Sequence, residues 1–177
     1  MWYERTSGAV FGVLCAVFGM DRSSGEARER FRAAYDPAVT VPRFPINFNV
    51  CFYSLSRRHE PGAEGVIRIN LPGRGGAAGT EETHQLLSVM LRLSFYGISA
   101  IEDAEVCRVG LLDGTAVRIF RESGVYPVKM PAAPLFLPER DGPDWRRRCD
   151  LNARLYVAEK TEKTYPALLS PPEVILH

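Results

Sequence analysis

Residues 66–97 read VIRINLPGRGGAAGTEETHQLLSVMLRLSFYG, and this stretch decides how the chain is organised. Its first six residues alternate in hydropathy, which is typical of a half-buried strand. A glycine-rich turn follows, and Thr80 then suits the N-cap of a helix, because the two glutamates after it stand where a helix dipole favours negative charge. The leucine-rich run that comes next predicts a well-buried helix over 80–96 that ends at Gly97.

The junction between this strand and this helix is a candidate anion site. Unpaired backbone N–H groups collect at a helix N-terminus, and glycines let a phosphate approach the backbone closely. The residues that would form this phosphate or CoA site are Arg74, Gly75, Gly76, Gly79 and Thr80. The alternative is a flexible connection in which the glycines serve only the turn. Glu81 and Glu82 favour that alternative, because their carboxylates already compensate the dipole and would repel a phosphate.

Two motifs within residues 65–125 carry a resemblance to a known family. Arg74 and Gly79 match the ends of a loop of pattern Arg/Gln-x-x-Gly-x-Gly/Ala. The later segment DGTAVRIFRESGV supplies the matching residues Asp113, Ala116, Phe120, Gly124 and Val125. Together they resemble the acyl-CoA-binding core of the GNAT N-acetyltransferases. The resemblance implies that backbone amides of the 73–80 loop hold the pyrophosphate of acetyl-CoA, and that the later segment begins as a helix.

The segment 113–124 also allows a different interpretation. Asp113-Gly114 is a common two-residue turn of β-hairpins. Thr115, Val117 and Ile119 are β-branched residues with strand propensity. We expect the hairpin rather than the helix, and the choice matters because only a helix agrees with the acetyltransferase resemblance.

The rest of the chain predicts an α+β domain. The expected strands are 8–18, 46–55, 66–71, 105–111 and 151–159, and the expected helices are 24–35 and 80–96. We expect the strands 46–55 and 66–71 to form an antiparallel pair. Five prolines make 127–144 an extended surface segment, and the C-terminus should be a loosely docked tail. The predicted fold is a single α+β domain over 1–177, with two main helices packed on a mostly antiparallel sheet.

Composition excludes several classes of protein. The 177 residues include 46% apolar and 24% charged residues, as in ordinary globular proteins. The net charge of +1 argues against nucleic acid as the partner, since no bulk positive charge would neutralise phosphates. A Walker-type nucleotide site is excluded because no G-K-[ST] motif is present. The apolar run 7–20 is shorter than the roughly 17–25 residues of a membrane-spanning helix, so we expect no membrane association.

The cysteines indicate a reducing compartment. All four are widely spaced, and none forms the C-x-x-C pair that is typical of zinc sites. Cys15, Cys51 and Cys107 lie in apolar runs, where a free thiol behaves as a small buried hydrophobic group. We therefore expect buried thiols, no metal and a cytoplasmic location.

A basic cluster with one aromatic residue predicts a protein-binding surface. It consists of Trp145, Arg146, Arg147 and Arg148. Tryptophan and arginine are enriched at the hot spots of interfaces, and the neighbouring segment 131–138 carries the apolar sequence LFL. We therefore expect a protein as the partner.

No group of side chains forms a recognisable catalytic set. The main prediction is therefore a non-catalytic intracellular interaction or assembly protein that binds another protein and needs no cofactor. One alternative is an acyl-CoA-dependent N-acyltransferase with acetyl-CoA as its cofactor. The other is a nucleic-acid-binding module.

Overall fold

The computed structural model describes residues 2–34, 44–59, 66–71 and 79–165. These residues form four helices and nine strands. The helices are α1 (Trp2–Val17), α2 (Gly25–Arg30), α3 (Ala100–Gly110) and α4 (Gly114–Glu122). The strands are β1 (Phe31–Ala33), β2 (Val50–Arg58), β3 (Val66–Leu71), β4 (Gly79–Tyr96), β5 (Val125–Pro127), β6 (Leu135–Phe136), β7 (Glu139–Asp141), β8 (Asp144–Arg146) and β9 (Arg148–Tyr165).

A mostly antiparallel sheet forms one layer of the molecule. At its centre β4 and β9 pair along 18 residues each, with Gly79 opposite Tyr165 at one end and Tyr96 opposite Arg148 at the other. β2 and β3 pair with successive parts of the other edge of β4, while β5 and β6 pair with β9. β1 joins β2 in parallel, and β7 and β8 form a separate hairpin. The predicted α+β class with a mostly antiparallel sheet is confirmed.

Helices α1, α3 and α4 pack on one face of this sheet and enclose the core. The sheet contributes alternate residues of its two central strands, chiefly Leu87, Val89, Leu91, Leu93, Phe95, Leu151, Leu155 and Val157. The helices contribute Val10, Val13, Leu14, Ala104, Cys107 and Phe120. The helical layer therefore differs from the predicted one, which consisted of 24–35 and 80–96.

The predicted helix over 80–96 is wrong, because this segment is strand β4. Its buried residues from Leu87 to Phe95 recur at every second position, which is the period of a strand with one covered face. Leu86 and Met90 lie on the other face and conceal this period in the sequence. Pairing with the whole of β9 overrides the local helix propensity of the leucines.

Two predicted strands are helices. The segment 8–18 lies in α1, where Thr6, Val10, Val13 and Leu14 are buried at helical spacing. The segment 105–111 lies mostly in α3, and this helix with its C-cap residue is buried at Ala100, Ala104, Cys107 and Leu111. Both runs are apolar over lengths that suit either a strand or a helix, so composition alone gave the wrong prediction.

The predicted hairpin at 113–124 is also wrong, because residues 114–122 form helix α4. Asp113 is its N-cap, and one carboxylate oxygen accepts a hydrogen bond from the Thr115 amide at 3.0 Å. Ala116 and Phe120, one turn apart, bury the inner face of the helix. The cap and this buried pair outweigh the strand propensity of the β-branched residues.

Several smaller predictions hold in part. A helix begins near the predicted start of 24–35, with Ser24 as its N-cap, but α2 ends at Arg30 and the chain continues as β1. The strands predicted at 46–55, 66–71 and 151–159 are present as β2, β3 and β9. β2 and β3 do not pair with each other, however, because both pair with β4. The segment 127–144 contains β6 and β7 and the ends of β5 and β8. The predicted C-terminal tail at 166–177 lies outside the described residues.

Candidate protein-binding site

The central strands continue beyond the core as a three-stranded extension. Leu87 and Val157 face each other and are the last fully buried pair of β4 and β9 on this side. Past this pair, residues 79–86 and 158–165 remain paired, and β3 adds to the β4 edge. We call β3 together with these two segments the arm. At about 3.3 Å per residue, eight residues carry the arm roughly 26 Å past the core.

One face of the arm presents a row of apolar side chains on its outermost strand. Ile67, Ile69 and Leu71 of β3 alternate along this face, and they are 64%, 41% and 49% exposed. Within the part of the chain that the structure describes, β3 pairs with β4 alone, so its outer edge carries unpaired backbone donors and acceptors. An edge strand of this kind is a template for pairing with another chain.

The charges beside this row are paired with each other. Glu82 and Glu162 face each other across β4 and β9, and the Lys160 ammonium lies 2.9 Å from the first carboxylate and 2.7 Å from the second. His84 Nε2 lies 3.1 Å from Glu82 Oε2. Hydrogen bonds from Lys160 and then His84 hold the pKa of Glu82 below its ordinary value. The row is therefore bordered by a charge network in which one ammonium group lies between two carboxylates.

The opposite face of the arm is polar and also internally paired. The Tyr165 hydroxyl donates a hydrogen bond to Glu81, which raises the pKa of this tyrosine. The Arg68 Nε atom lies 3.9 Å from the same carboxylate, and the Lys163 ammonium lies 5.2 Å from the centre of the Tyr165 ring. The apolar row on the first face is thus the feature of the arm that is left without a covering layer among the described residues.

The anion site predicted from the sequence loses its structural basis. Gly79 and Thr80 begin strand β4 instead of a helix, so no helix N-terminus gathers amides there. Arg74, Gly75 and Gly76 lie outside the described residues. The acetyltransferase resemblance requires a helix directly after this loop, but the chain has a strand there. It also requires a helix in the segment 113–124, and α4 is present in that segment.

The three arginines of the predicted basic cluster contact the protein itself. Arg146 donates to the Phe44 carbonyl at 3.0 Å, and Arg147 donates to the Ile98 carbonyl at 3.3 Å. Arg148 donates hydrogen bonds to Asp150 and Glu139, and its guanidinium group lies over the Tyr96 ring. These contacts use the guanidinium groups to hold the β7–β8 hairpin and the start of β9 against the body.

Trp145 differs from its three neighbours. Its side chain is 65% exposed on β8, where it lies opposite Arg140. Leu135, Phe136 and Leu137 nearby in the sequence are exposed as well. The aromatic part of the predicted partner-binding cluster is therefore accessible, whereas the arginines are engaged in the fold.

The thiols are buried, as the sequence predicts. Cys15, Cys51, Cys107 and Cys149 are all free and buried. Burial raises the pKa of each thiol, because the thiolate would lose its hydration. In the described ranges, no three His, Cys, Asp or Glu side chains lie close enough together to hold a metal ion.

Sequence reasoning missed the arm, although a signal for it exists. Residues 79–86 and 158–165 are mostly polar, and in the observed register Glu81 lies opposite Lys163. Threonines at 80, 83, 161 and 164 also favour strands. The signal is weak because it joins segments that are far apart in the chain.

No protein-family model matches the chain, and no curated protein shows significant similarity to it. Among the described helices, none is long and apolar enough to cross a membrane.

Proposed function

We propose that this chain is a non-catalytic assembly protein that binds another protein through the arm. The single observation that carries the proposal is the exposed row of Ile67, Ile69 and Leu71 on a strand edge that has no pairing strand among the described residues. A partner strand that pairs with β3 would satisfy its outer backbone groups and cover this row at the same time. Main-chain hydrogen bonds then supply affinity, and the alternating side chains supply specificity.

Burial of the row supplies the driving force. Complete burial of an isoleucine or leucine side chain stabilises an interface by roughly 1.5–3 kcal/mol. Ile67, Ile69 and Leu71 are about half exposed. A partner that buries each of them completely would therefore gain around half of that free energy per side chain. The neighbouring carboxylates of Glu81 and Glu82 already have their own cationic partners and need not be stripped of water.

The alternatives from the sequence have less support. An acyltransferase site at the 73–80 loop stays a prediction. Strand β4 follows the loop in place of the helix whose N-terminal amides were expected to bind the phosphate. A nucleic-acid-binding module also stays a prediction. The arm carries glutamates as well as lysines, so its surface is not the basic stripe that is typical of nucleic-acid-binding proteins.

Site-specific photo-crosslinking in the cells that make the protein tests the proposal. One variant carries benzoylphenylalanine in place of Ile67 on the arm, and a matched control carries it in place of Val109 on α3. Val109 is apolar and 57% exposed, so the control reports adhesion of an exposed apolar position in general. We expect discrete protein adducts from position 67 and none from position 109. The proposal fails if position 67 gives no adduct while the variant is folded, or if both positions give the same adducts.

A further inference from the structure

We propose that the protein bound by the arm is a second copy of this chain, joined by antiparallel pairing of the two β3 strands about a two-fold axis at Ile69. This inference rests on the proposed function and names its partner. Such pairing would create one continuous six-stranded sheet in the order β9-β4-β3 of one copy followed by β3-β4-β9 of its partner.

The order of residues in β3 selects this register. In an antiparallel pair, residues that face each other share one face of the sheet, so the apolar row must meet apolar residues of the second strand. With the axis at Ile69, this residue faces its own copy and Ile67 faces Leu71 on either side. All six apolar side chains of the two rows then form one cluster on one face.

Other registers lose part of this match. A shift of one strand by one residue would place the apolar rows of the two copies on opposite faces of the joined sheet. An axis at Arg68 would bring the two guanidinium groups directly opposite each other, and like charges at that position destabilise a sheet. An axis at residue 70 would place Ile67 opposite residue 73, a glycine, and so leave Ile67 without an apolar partner.

The charges on the arm favour a copy over a partner of opposite charge. Arg68 lies beside Glu81 of its own chain, and Glu82 lies between Lys160 and His84 of its own chain. With the axis at Ile69, Arg68 faces the uncharged residue 70 of the second copy. In this register no charged residue of one β3 faces a like charge of the other, so a second copy fits this edge without charge repulsion.

The geometry also separates the two bodies. β3 begins next to the core at Val66, opposite Gln85, and runs toward the end of the arm at Leu71, opposite Thr80. Antiparallel pairing therefore places the base of one arm beside the end of the other. The two helical layers then lie at opposite ends of the joined sheet, where they do not compete for the same space.

Sedimentation velocity of the purified full chain over a range of concentrations provides the first test. We expect a concentration-dependent dimer for the wild type, and Ile69→Lys should weaken its association by tenfold or more, since about 1.4 kcal/mol of lost burial already gives that factor. The control Val109→Lys also replaces a β-branched apolar residue with lysine, at an exposed position of the body, and should leave the dimer intact. Circular dichroism checks that both variants are folded.

Cysteine pairing provides the second test, and it reads the register. The four native thiols are buried, so a mild oxidant should act on an introduced thiol first. We expect a disulfide-linked dimer from the Ile69→Cys variant and little linked dimer from the Arg68→Cys variant alone. When the Arg68→Cys variant is mixed with the Asn70→Cys variant, we expect a disulfide-linked dimer that contains one copy of each. Efficient self-linking of Arg68→Cys would overturn the register.

The outcomes separate this inference from the proposed function. A wild-type chain that stays monomeric, or a dimer that Ile69→Lys leaves unchanged, overturns the second copy as the partner. Photo-adducts from position 67 to a different protein would then still support binding through the arm. Absence of any adduct from position 67 removes both proposals together.

Discussion

The Arg146 guanidinium lies 4.6 Å from the centre of the Phe44 ring and donates a hydrogen bond to the Phe44 carbonyl at 3.0 Å. Phe44 in turn packs against Phe52 and Tyr96 on the sheet face opposite the helices. Arg146 is thereby part of the folded structure, although its sequence context suggests a free basic surface. The next residue back, Trp145, is exposed.

Arg146→Ala should lower the free energy of unfolding by roughly 1–2 kcal/mol, because it removes a cation–π contact and a hydrogen bond to a carbonyl. Trp145→Ala should change it by less than about 0.5 kcal/mol, as expected for an exposed position. Urea titration of both variants measures the difference. Equal effects of the two substitutions would contradict the assignment of Arg146 to the fold.

Gly97→Ala should destabilise the protein strongly. Gly97 has φ +107°, and an added Cβ would lie 2.4 Å from Asn49 Oδ1 and 2.7 Å from the Phe48 carbonyl oxygen. We expect a loss of about 2–4 kcal/mol, since backbone strain and overpacking add. Gly114→Ala is the matched control, because the space around Gly114 is open and its φ is not positive. Thermal denaturation should show a large loss for the first variant and almost none for the second.

Tyr96 should ionise later than an ordinary tyrosine. Burial, together with the hydrogen bond that its hydroxyl donates to Glu139 at 2.8 Å, raises the pKa of Tyr96 to about 12. Because the folded pKa lies above the unfolded value of 10.0, the neutral hydroxyl contributes to stability in full below pH 10. That contribution is lost as the pH rises through about 12. Absorbance at the tyrosinate wavelength should reveal a transition near pH 12 that Tyr96→Phe removes, and a transition unchanged in this variant would refute the assignment.

The four thiols should react slowly with an aromatic disulfide reagent in the native protein and rapidly after unfolding. All four are buried, and desolvation raises the pKa of each, so little thiolate is present at neutral pH. Counting the released chromophore with and without denaturant measures this. Fast labelling of Cys107 in the folded state would show that α3 is not packed on the sheet as described.

Asp113→Ala should destabilise the protein by about 1 kcal/mol, because the N-cap of α4 loses its carboxylate acceptor. Asp113→Asn keeps an oxygen acceptor at this position and should therefore retain most of the stability that Asp113→Ala loses. Chemical denaturation of the two variants distinguishes them. Equal stability of the alanine and asparagine variants would indicate that the cap contributes nothing.

The fold could be predicted from local patterns only in part, and the error over 80–96 has a clear physical cause. The alternating residues of 66–71 and 151–159 identify strands, and Ser24 identifies a helix start. The segment 80–96 misleads, because its leucines favour a helix locally and its partner β9 begins only at residue 148. Long-range pairing decides the outcome there, and no window of sequence contains it.

The candidate site could be predicted only in part. The exposure of Trp145 agrees with a role at an interface, and the enrichment of tryptophan at interface hot spots pointed to it. The arm could not be recognised from VIRINL alone, since the same alternation fits a strand with one buried face. Only the position of β3 beyond the Leu87–Val157 pair shows that its apolar face is left uncovered.

The pairing of β4 with β9 also determines when the sheet can be completed during synthesis. The Tyr165 hydroxyl and the Glu81 carboxylate that it contacts are separated by 84 positions in the chain. At about 5–20 residues per second, a ribosome exposes β4 for several seconds before its partner emerges. Helices α3 and α4 lie between the two strands and have mainly local contacts, so they can form during this delay. The pairing at the centre of the sheet therefore cannot be completed until β9 has been synthesised.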